Sequence, residues 1–249
     1  QAERLAHLPP DAPVPGYSDL AEVYQRMNAL AAAAPSIAQV VDLTARYAGQ
    51  PGVGPTFEGR SLYAVKISDN VGLEEDEPTA LFVSCHHSRE VVTPEIALTA
   101  IENLTTLYGS DPGVPAAVDG NEIWIAPMWN PDGYNEVFVG NNLWRKNRRV
   151  FAQGTGVDLN RNYPFGWNAQ CGGSTNVNSE TYRGPSAASE PETRTMMAFS
   201  ADRRFAKVID YHSFASEVRF GNGCSSYPLG NFLKSAAITL IQPPRYNGD

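Results

Sequence analysis

Residues Thr79 to Cys85 form an unbroken apolar run of strand length that leads directly into two adjacent histidines, His86 and His87. An apolar run without polar alternation marks a strand buried on both faces, which demands a sheet covered by helices above and below. A brief polar turn follows, and Thr93 and Pro94 then offer an N-cap and a first-turn proline for a helix bearing Ile96, Ala97, Ile101, Leu104 and Leu107, with a stop at Gly109. Other segments repeat the alternation. Asp19 and Glu22 make a capping-box pattern for a helix carrying Leu20, Val23, Tyr24, Met27 and Leu30, ended by Pro35. Ala38–Leu43 and Ser61–Ile67 read as strands joined in a hairpin-like way, and Glu122–Ala126 and Ala206–Tyr211 as further strands. Ser189 and Glu192 open a capped helix through Met196, Met197 and Phe199. The predicted fold class is α/β: a three-layer α/β/α sandwich around a central mixed, largely parallel β-sheet.

The chain has 249 residues, 42% of them hydrophobic and 18% charged, with no repeat or linker, so a single domain spanning 1–249 is expected. Its net charge of -8 leaves no basic stripe to replace phosphate counterions, which excludes nucleic acid as a partner. The densest basic stretch, Arg145, Lys146, Arg148 and Arg149, is short enough for a solvated loop or a small anionic pocket. No apolar run reaches the roughly 18 to 20 residues that cross a bilayer, so no membrane role is expected. The chain starts at Gln1 rather than Met, the pattern of a processed product, and a secreted, monomeric protein is the expectation. Of its three cysteines, Cys85 reads as core, whereas Cys171 and Cys224 lie in Gly/Ser-rich loops and are either bridged or free.

Ligands of open α/β sheets gather beyond the carboxyl ends of the strands. Three of the four histidines, His86, His87 and His212, stand immediately after predicted buried strands. A His and a Glu three residues apart, as in His87-Ser88-Arg89-Glu90, usually mean no more than a solvated turn. A tight turn of this kind can also aim an imidazole nitrogen and a carboxylate at one ion, with His212 as a distant third ligand and the fourth position open for water. Spacing also allows His86 with Glu90. Neighbours in an extended segment point opposite ways, so one histidine of the pair reaches the ion, and His87 is favoured. After Ala126, roughly sixty residues rich in Asn, Gly, Ser and Arg show little periodicity, the mark of a functional loop region.

These residues resemble the zinc carboxypeptidases, whose metal motif is a His, two residues and a Glu, with a second His well over a hundred residues later: here His87, Glu90 and His212. Asn130-Pro131-Asp132-Gly133-Tyr134 is similar to the family's segment after its central strand, and Trp144-Arg145-Lys146-Asn147-Arg148 to the one bearing its transition-state arginine. Gly156-Val157-Asp158-Leu159-Asn160-Arg161-Asn162 resembles the segment whose Asn and Arg hold the substrate's terminal carboxylate, and Ser179-Glu180-Thr181-Tyr182-Arg183-Gly184 fits the loop that follows. The resemblance runs from about Tyr17 to about Leu240. It implies one Zn2+, Arg145 as the oxyanion donor, Asn160 and Arg161 as the carboxylate clamp, and Arg89, Ser213 and Phe214 along the groove, although Phe214 stands where a Tyr is common. A surface ion pair for Arg89, a turn cap for Asn160 and a core histidine for His212 are the bland counterparts.

The implied activity is hydrolysis of the C-terminal peptide bond of peptides and proteins by metal-activated water. The family's general-base Glu and mobile Tyr lie beyond its second metal histidine, and neither has a matching position before Asp249; Glu217 and Tyr246 do not fit them. The resemblance therefore implies a sheet incomplete at the C-terminal end and weak or no turnover by the chain as given. Two alternatives belong to other classes: a module that binds free C-termini without turnover, and a metal-dependent amidase or deacylase.

Overall fold

The structure, a computed structural model, describes residues 14–169 and 172–213. Its strands are β1 (Ala38–Asp42), β2 (Tyr63–Ile67), β3 (Thr79–Ser84), β4 (Glu122–Ala126), β5 (Val150–Phe151), β6 (Gly154–Thr155) and β7 (Lys207–Tyr211). Its helices are α1 (Leu20–Ala33), α2 (Leu43–Arg46), α3 (Val92–Thr106), α4 (Gly113–Val118), α5 (Pro131–Val139) and α6 (Pro191–Arg203), with a 3-10 turn at Leu159–Arg161. Five strands form one mixed sheet in the order β1-β2-β4-β3-β7, and β5 and β6 make a separate antiparallel hairpin. β1 with β2 and β2 with β4 are antiparallel, whereas β4 with β3 and β3 with β7 are parallel.

Alternation along the strands builds two cores. Ile123 and Ile125 of β4 face one side with Val65, Ile67, Val23 and Met27 of α1, and Leu98 and Ile101 of α3. Trp124 and Ala126 face the other with Leu81, Val83, Leu43 of α2, and Met196 and Phe199 of α6. Helices thus cover both faces of the sheet, the three-layer arrangement that an unalternated β3 requires. The parallel order places the carboxyl ends of β4, β3 and β7 side by side, with His86 and His87 after β3 and His212 after β7.

Several local expectations need adjustment. The capping box of α1 forms as expected, with Asp19 and Glu22 each accepting from the other's amide. β1 stops at Asp42 because that side chain accepts from Ala45 N and caps α2. β2 starts at Tyr63 because Leu62 bonds with α2 through Leu43 and Thr44 instead of joining the ladder. Thr93 lies inside α3 rather than capping it: its hydroxyl donates to Glu90 O at 2.8 Å and accepts from Cys85 N at 3.1 Å. α6 starts at Pro191 with no side-chain cap, and Ser189 donates to Glu190 instead. The long irregular stretch also contains α5, which Asn130 caps by accepting from Gly133 N, together with the β5–β6 hairpin. β7, expected to be buried, is an edge strand among the described residues, with Val208 57% and Ile209 47% exposed. Cys85 is fully buried, as expected of core; Cys171, Cys224 and Phe214 lie outside the described residues.

Candidate metal centre

The turn after β3 begins with a kink. Cys85 takes the left-handed conformation, φ 62°, which is unusual for a residue with a side chain and carries of order 1 to 3 kcal/mol of strain that surrounding contacts must offset. Thr93 bridges the two ends of the turn, and Asn130 Nδ2 donates to His86 O at 3.2 Å. The start of α5 therefore holds the histidine pair in place. Gly133 permits a close approach there, since a Cβ would stand 2.5 Å from Lys146 O. The Arg145 segment docks on the same turn through Ser88, whose amide donates to Arg145 O at 3.2 Å and whose hydroxyl donates to Trp144 O at 2.8 Å.

The turn separates the two histidines. His87 Nδ1 lies 2.8 Å from Glu90 Oε1 and 3.1 Å from His212 Nδ1, and His212 Nδ1 lies 2.9 Å from Glu90 Oε2. His86 faces away from Glu90, with Nδ1 3.0 Å from Asp210 Oδ1 and Nε2 2.8 Å from the Tyr163 hydroxyl. The remaining ring nitrogens of the converging pair also meet carboxylates: His87 Nε2 lies 3.1 Å from Asp158 Oδ1, and His212 Nε2 lies 2.9 Å from Asp210 Oδ2. Carboxylates at both Nε2 atoms place the ring protons there and leave both Nδ1 lone pairs aimed at the point Glu90 also faces. Two imidazole nitrogens and a carboxylate within 3.1 Å of one another need a proton or a metal cation between them, and this donor set suits a divalent ion with two nitrogen ligands and one oxygen ligand. His87, Glu90 and His212 therefore fit a metal.

The charges agree with that fit. Burial acts to raise the Glu90 carboxyl, but hydrogen bonds from His212 and His87 outweigh it and hold it at about 2. Burial likewise opposes protonation of His212, yet Asp210 and Glu90 lift it to about 10, so that without a metal a second proton on Nδ1 takes the place a cation would fill. At Asp158, burial is outweighed by His87 and Arg145, and the carboxyl sits at about 2. Burial also acts to raise Asp210, and His86 and His212 bring it well below the usual carboxylate range. Among the described residues the carboxylates of Glu90, Asp158 and Asp210 surround the site and Arg145 pairs with one of them, Asp158, so the pocket favours added positive charge, whether a proton on His212 or a bound cation.

The other sequence-derived residues fall as follows. Arg145 uses Nε and Nη2 on Asp158 Oδ2 at 3.2 and 2.8 Å. Asn160 Nδ2 stands 3.4 Å from His212 Nε2, beside the metal ligands. Arg161 Nη1 donates to Asn160 O at 3.0 Å, and among the described residues no acidic side chain pairs with it. Arg89 lies on the surface, with Nη1 3.0 Å from Glu180 Oε2 and 3.2 Å from Leu143 O. Ser213 enters through its backbone, whose amide donates to Glu90 Oε2 at 3.1 Å. Sequence reasoning gave no role to Asp158, Asp210 or Tyr163, and considered His86 only as the alternative to His87. Asp210 had a readable signal, because residues two apart on a strand share a face and Asp210 precedes His212 by two.

The sequence matches the profile of the family described as zinc carboxypeptidase over residues 23–231. It is 32% identical to carboxypeptidase A1 of Rattus norvegicus over 234 residues, covering 90% of this chain and 52% of that protein. It is 41% identical to the zinc carboxypeptidase of Saccharothrix mutabilis subsp. capreolus over 122 residues, 48% of this chain and 28% of that protein. The crystal structure of carboxypeptidase A from Helicoverpa armigera matches with a TM-score of 0.72 at 30% identity, covering 89% of this chain and 53% of that one. The chain thus spans about half or less of the length of these relatives. With a profile match over most of its length and the His87, Glu90 and His212 donors gathered at one point, the chain belongs to the zinc carboxypeptidase family.

Proposed function

We propose that this chain carries the metal centre of a zinc exopeptidase that removes C-terminal residues from peptides and proteins. The observation that carries the reading is the convergence of His87 Nδ1, Glu90 and His212 Nδ1, with both Nε2 atoms already held by carboxylates. His87, Glu90 and His212 would hold a zinc ion, which would supply Lewis acidity for the scissile carbonyl and for a water.

The chain's own residues divide the remaining work. Asp158 fixes the Arg145 guanidinium beside the ligands, where it stabilises negative charge developing on the carbonyl oxygen. Among the described residues Nη1 of Arg145 takes no hydrogen bond, which leaves it for the substrate. Arg161, unpaired with any described acid, offers a planar fork that binds a free carboxylate in two contacts, with Asn160 beside it. That clamp selects chain ends over internal peptide bonds. Arg89, Ser213 and Phe214 are proposed to line the groove, Arg89 by exchanging its Glu180 contact for substrate. Among the described residues the carboxylates of Glu90, Asp158 and Asp210 are engaged as ligand or support, and none is assigned as general base.

A secreted monomer is part of the proposal, as is one catalytic domain, the latter supported by two cores that share a single sheet. No helix of the described residues is long and apolar enough to cross a membrane. The test compares peptides with free and amidated C-termini. Zinc-dependent release of the last residue from free ends is expected, slow because no described residue is assigned as general base, and equal cleavage of amidated peptides would remove the carboxylate clamp from the account.

A further inference from the structure

Asp210 stands at the middle of a hydrogen-bonded chain that ends on a metal ligand. Its Oδ2 lies 2.9 Å from His212 Nε2 and its Oδ1 lies 3.0 Å from His86 Nδ1, while His86 Nε2 lies 2.8 Å from the Tyr163 hydroxyl. One set of protons satisfies every contact. With His212 presenting the Nδ1 lone pair to the metal, its Nε2–H donates to Asp210. His86 then donates Nδ1–H to the other carboxylate oxygen, and its bare Nε2 accepts from the Tyr163 hydroxyl. Asn160 Nδ2, at 3.4 Å, is the longer contact to His212 Nε2 and, as a donor, cannot replace the carboxylate.

The local chain explains why these residues meet. Asp210 is the penultimate residue of β7 and lies on the same face as His212, since strand residues two apart point alike. The kink at Cys85 turns His86 from Glu90 toward β7, where its ring lies 6.1 Å from that of His212 and 5.9 Å from that of Tyr163. His86 is 3% exposed, so its two ring nitrogens must find partners within the protein.

We propose that Asp210 is a positioning residue for His212, and that His86 and Tyr163 act through it by fixing the carboxylate's rotation. The inference rests on the metal reading above. An anionic acceptor at Nε2 makes His212 a better nitrogen donor and prevents its ring from turning Nδ1 away from Glu90; such outer partners typically contribute 10- to 100-fold in metal affinity.

The test measures zinc dissociation constants by chelator competition for the wild type, Asp210→Ala, Asp210→Asn and Tyr163→Phe, with no activity readout needed. Asp210→Ala and Asp210→Asn are expected to weaken zinc binding roughly 10- to 100-fold. Tyr163→Phe should weaken it roughly 2- to 5-fold, the scale of one neutral hydrogen bond acting at one remove. Asn at position 210 keeps the shape and removes the charge, so the visible spectrum of the variant's cobalt-substituted form should shift. Zinc affinity within twofold of the wild type in Asp210→Asn and Tyr163→Phe, with an unmoved cobalt spectrum, overturns the proposal even if Asp210→Ala fails to fold. A wild type that takes up no zinc overturns the metal reading as well, which separates the two failures.

Discussion

The buried carboxylate of Asp158 is shared by His87 and Arg145, 3.1 Å from the ring nitrogen of one and 2.8 Å from the guanidinium of the other. One side chain thereby sets both the orientation of a proposed metal ligand and the place of the guanidinium beside it. Its backbone is equally committed, because Asp158 N donates to Tyr182 O and its side chain caps the 3-10 turn that presents Asn160 and Arg161.

Asp158→Asn keeps the volume and removes the charge that Arg145 and His87 share. Zinc affinity should fall roughly 10- to 100-fold, and kcat should fall further than zinc occupancy alone explains, because Arg145 loses its anchor. Activity measured at saturating zinc separates the two effects. Full recovery of kcat at saturation would show that Asp158 does not position Arg145.

Arg161→Gln removes the fork while keeping a polar side chain. A lost hydrogen bond to a charged group is worth about 1.5 to 3 kcal/mol, so kcat/KM for peptides with free C-termini should fall roughly 10- to 150-fold. Amidated peptides should be unaffected, and discrimination between the two should narrow. Unchanged discrimination would place the clamp elsewhere.

Behind the Arg145 segment, Glu190 and Glu192 are both fully buried and both face Asn147, whose Nδ2 lies 2.8 Å from Glu190 Oε2 and 3.5 Å from each Glu192 oxygen. Arg149 pairs with Glu190 at 2.9 Å. Burial, reinforced by the neighbouring Glu190, raises the Glu192 carboxyl from 4.5 to about 8. The folded state therefore binds a proton that the unfolded state has released between these values. Stability from this group is fully present below about 4.5 and is lost as pH rises toward 8. Chemical denaturation of wild type and Glu192→Gln should show the variant gaining relative stability from pH 5 to pH 8 and no further change above it. A pH-independent difference would show that Glu192 is not protonated in the fold.

The strand ends that carry the site were legible because β3 and β4 are apolar on both faces and β3 runs straight into its histidines. Parity predicts that His86 and His87 point to different partners, and the kink at Cys85, which no pattern announces, is what sends His86 toward Asp210. α5 was hidden because its capping signal, Asn130 followed by Pro131, sits in a stretch too polar to show helical periodicity. The supports of the metal ligands were the least visible. Asp158 and His87 are 71 positions apart and Tyr163 and His86 are 77 apart, so only the folded sheet brings them together. Thr93 misled for a related reason: its hydroxyl bonds across the turn to Cys85 and Glu90 instead of capping its own helix.

Zinc titration of the metal-free protein, compared with His87→Ala, Glu90→Ala and His212→Ala, tests the central claim most directly. One zinc per chain is expected for the wild type, with binding weakened by orders of magnitude in each variant. Absence of zinc uptake by the folded wild type, or undiminished uptake by all three variants, would contradict the account.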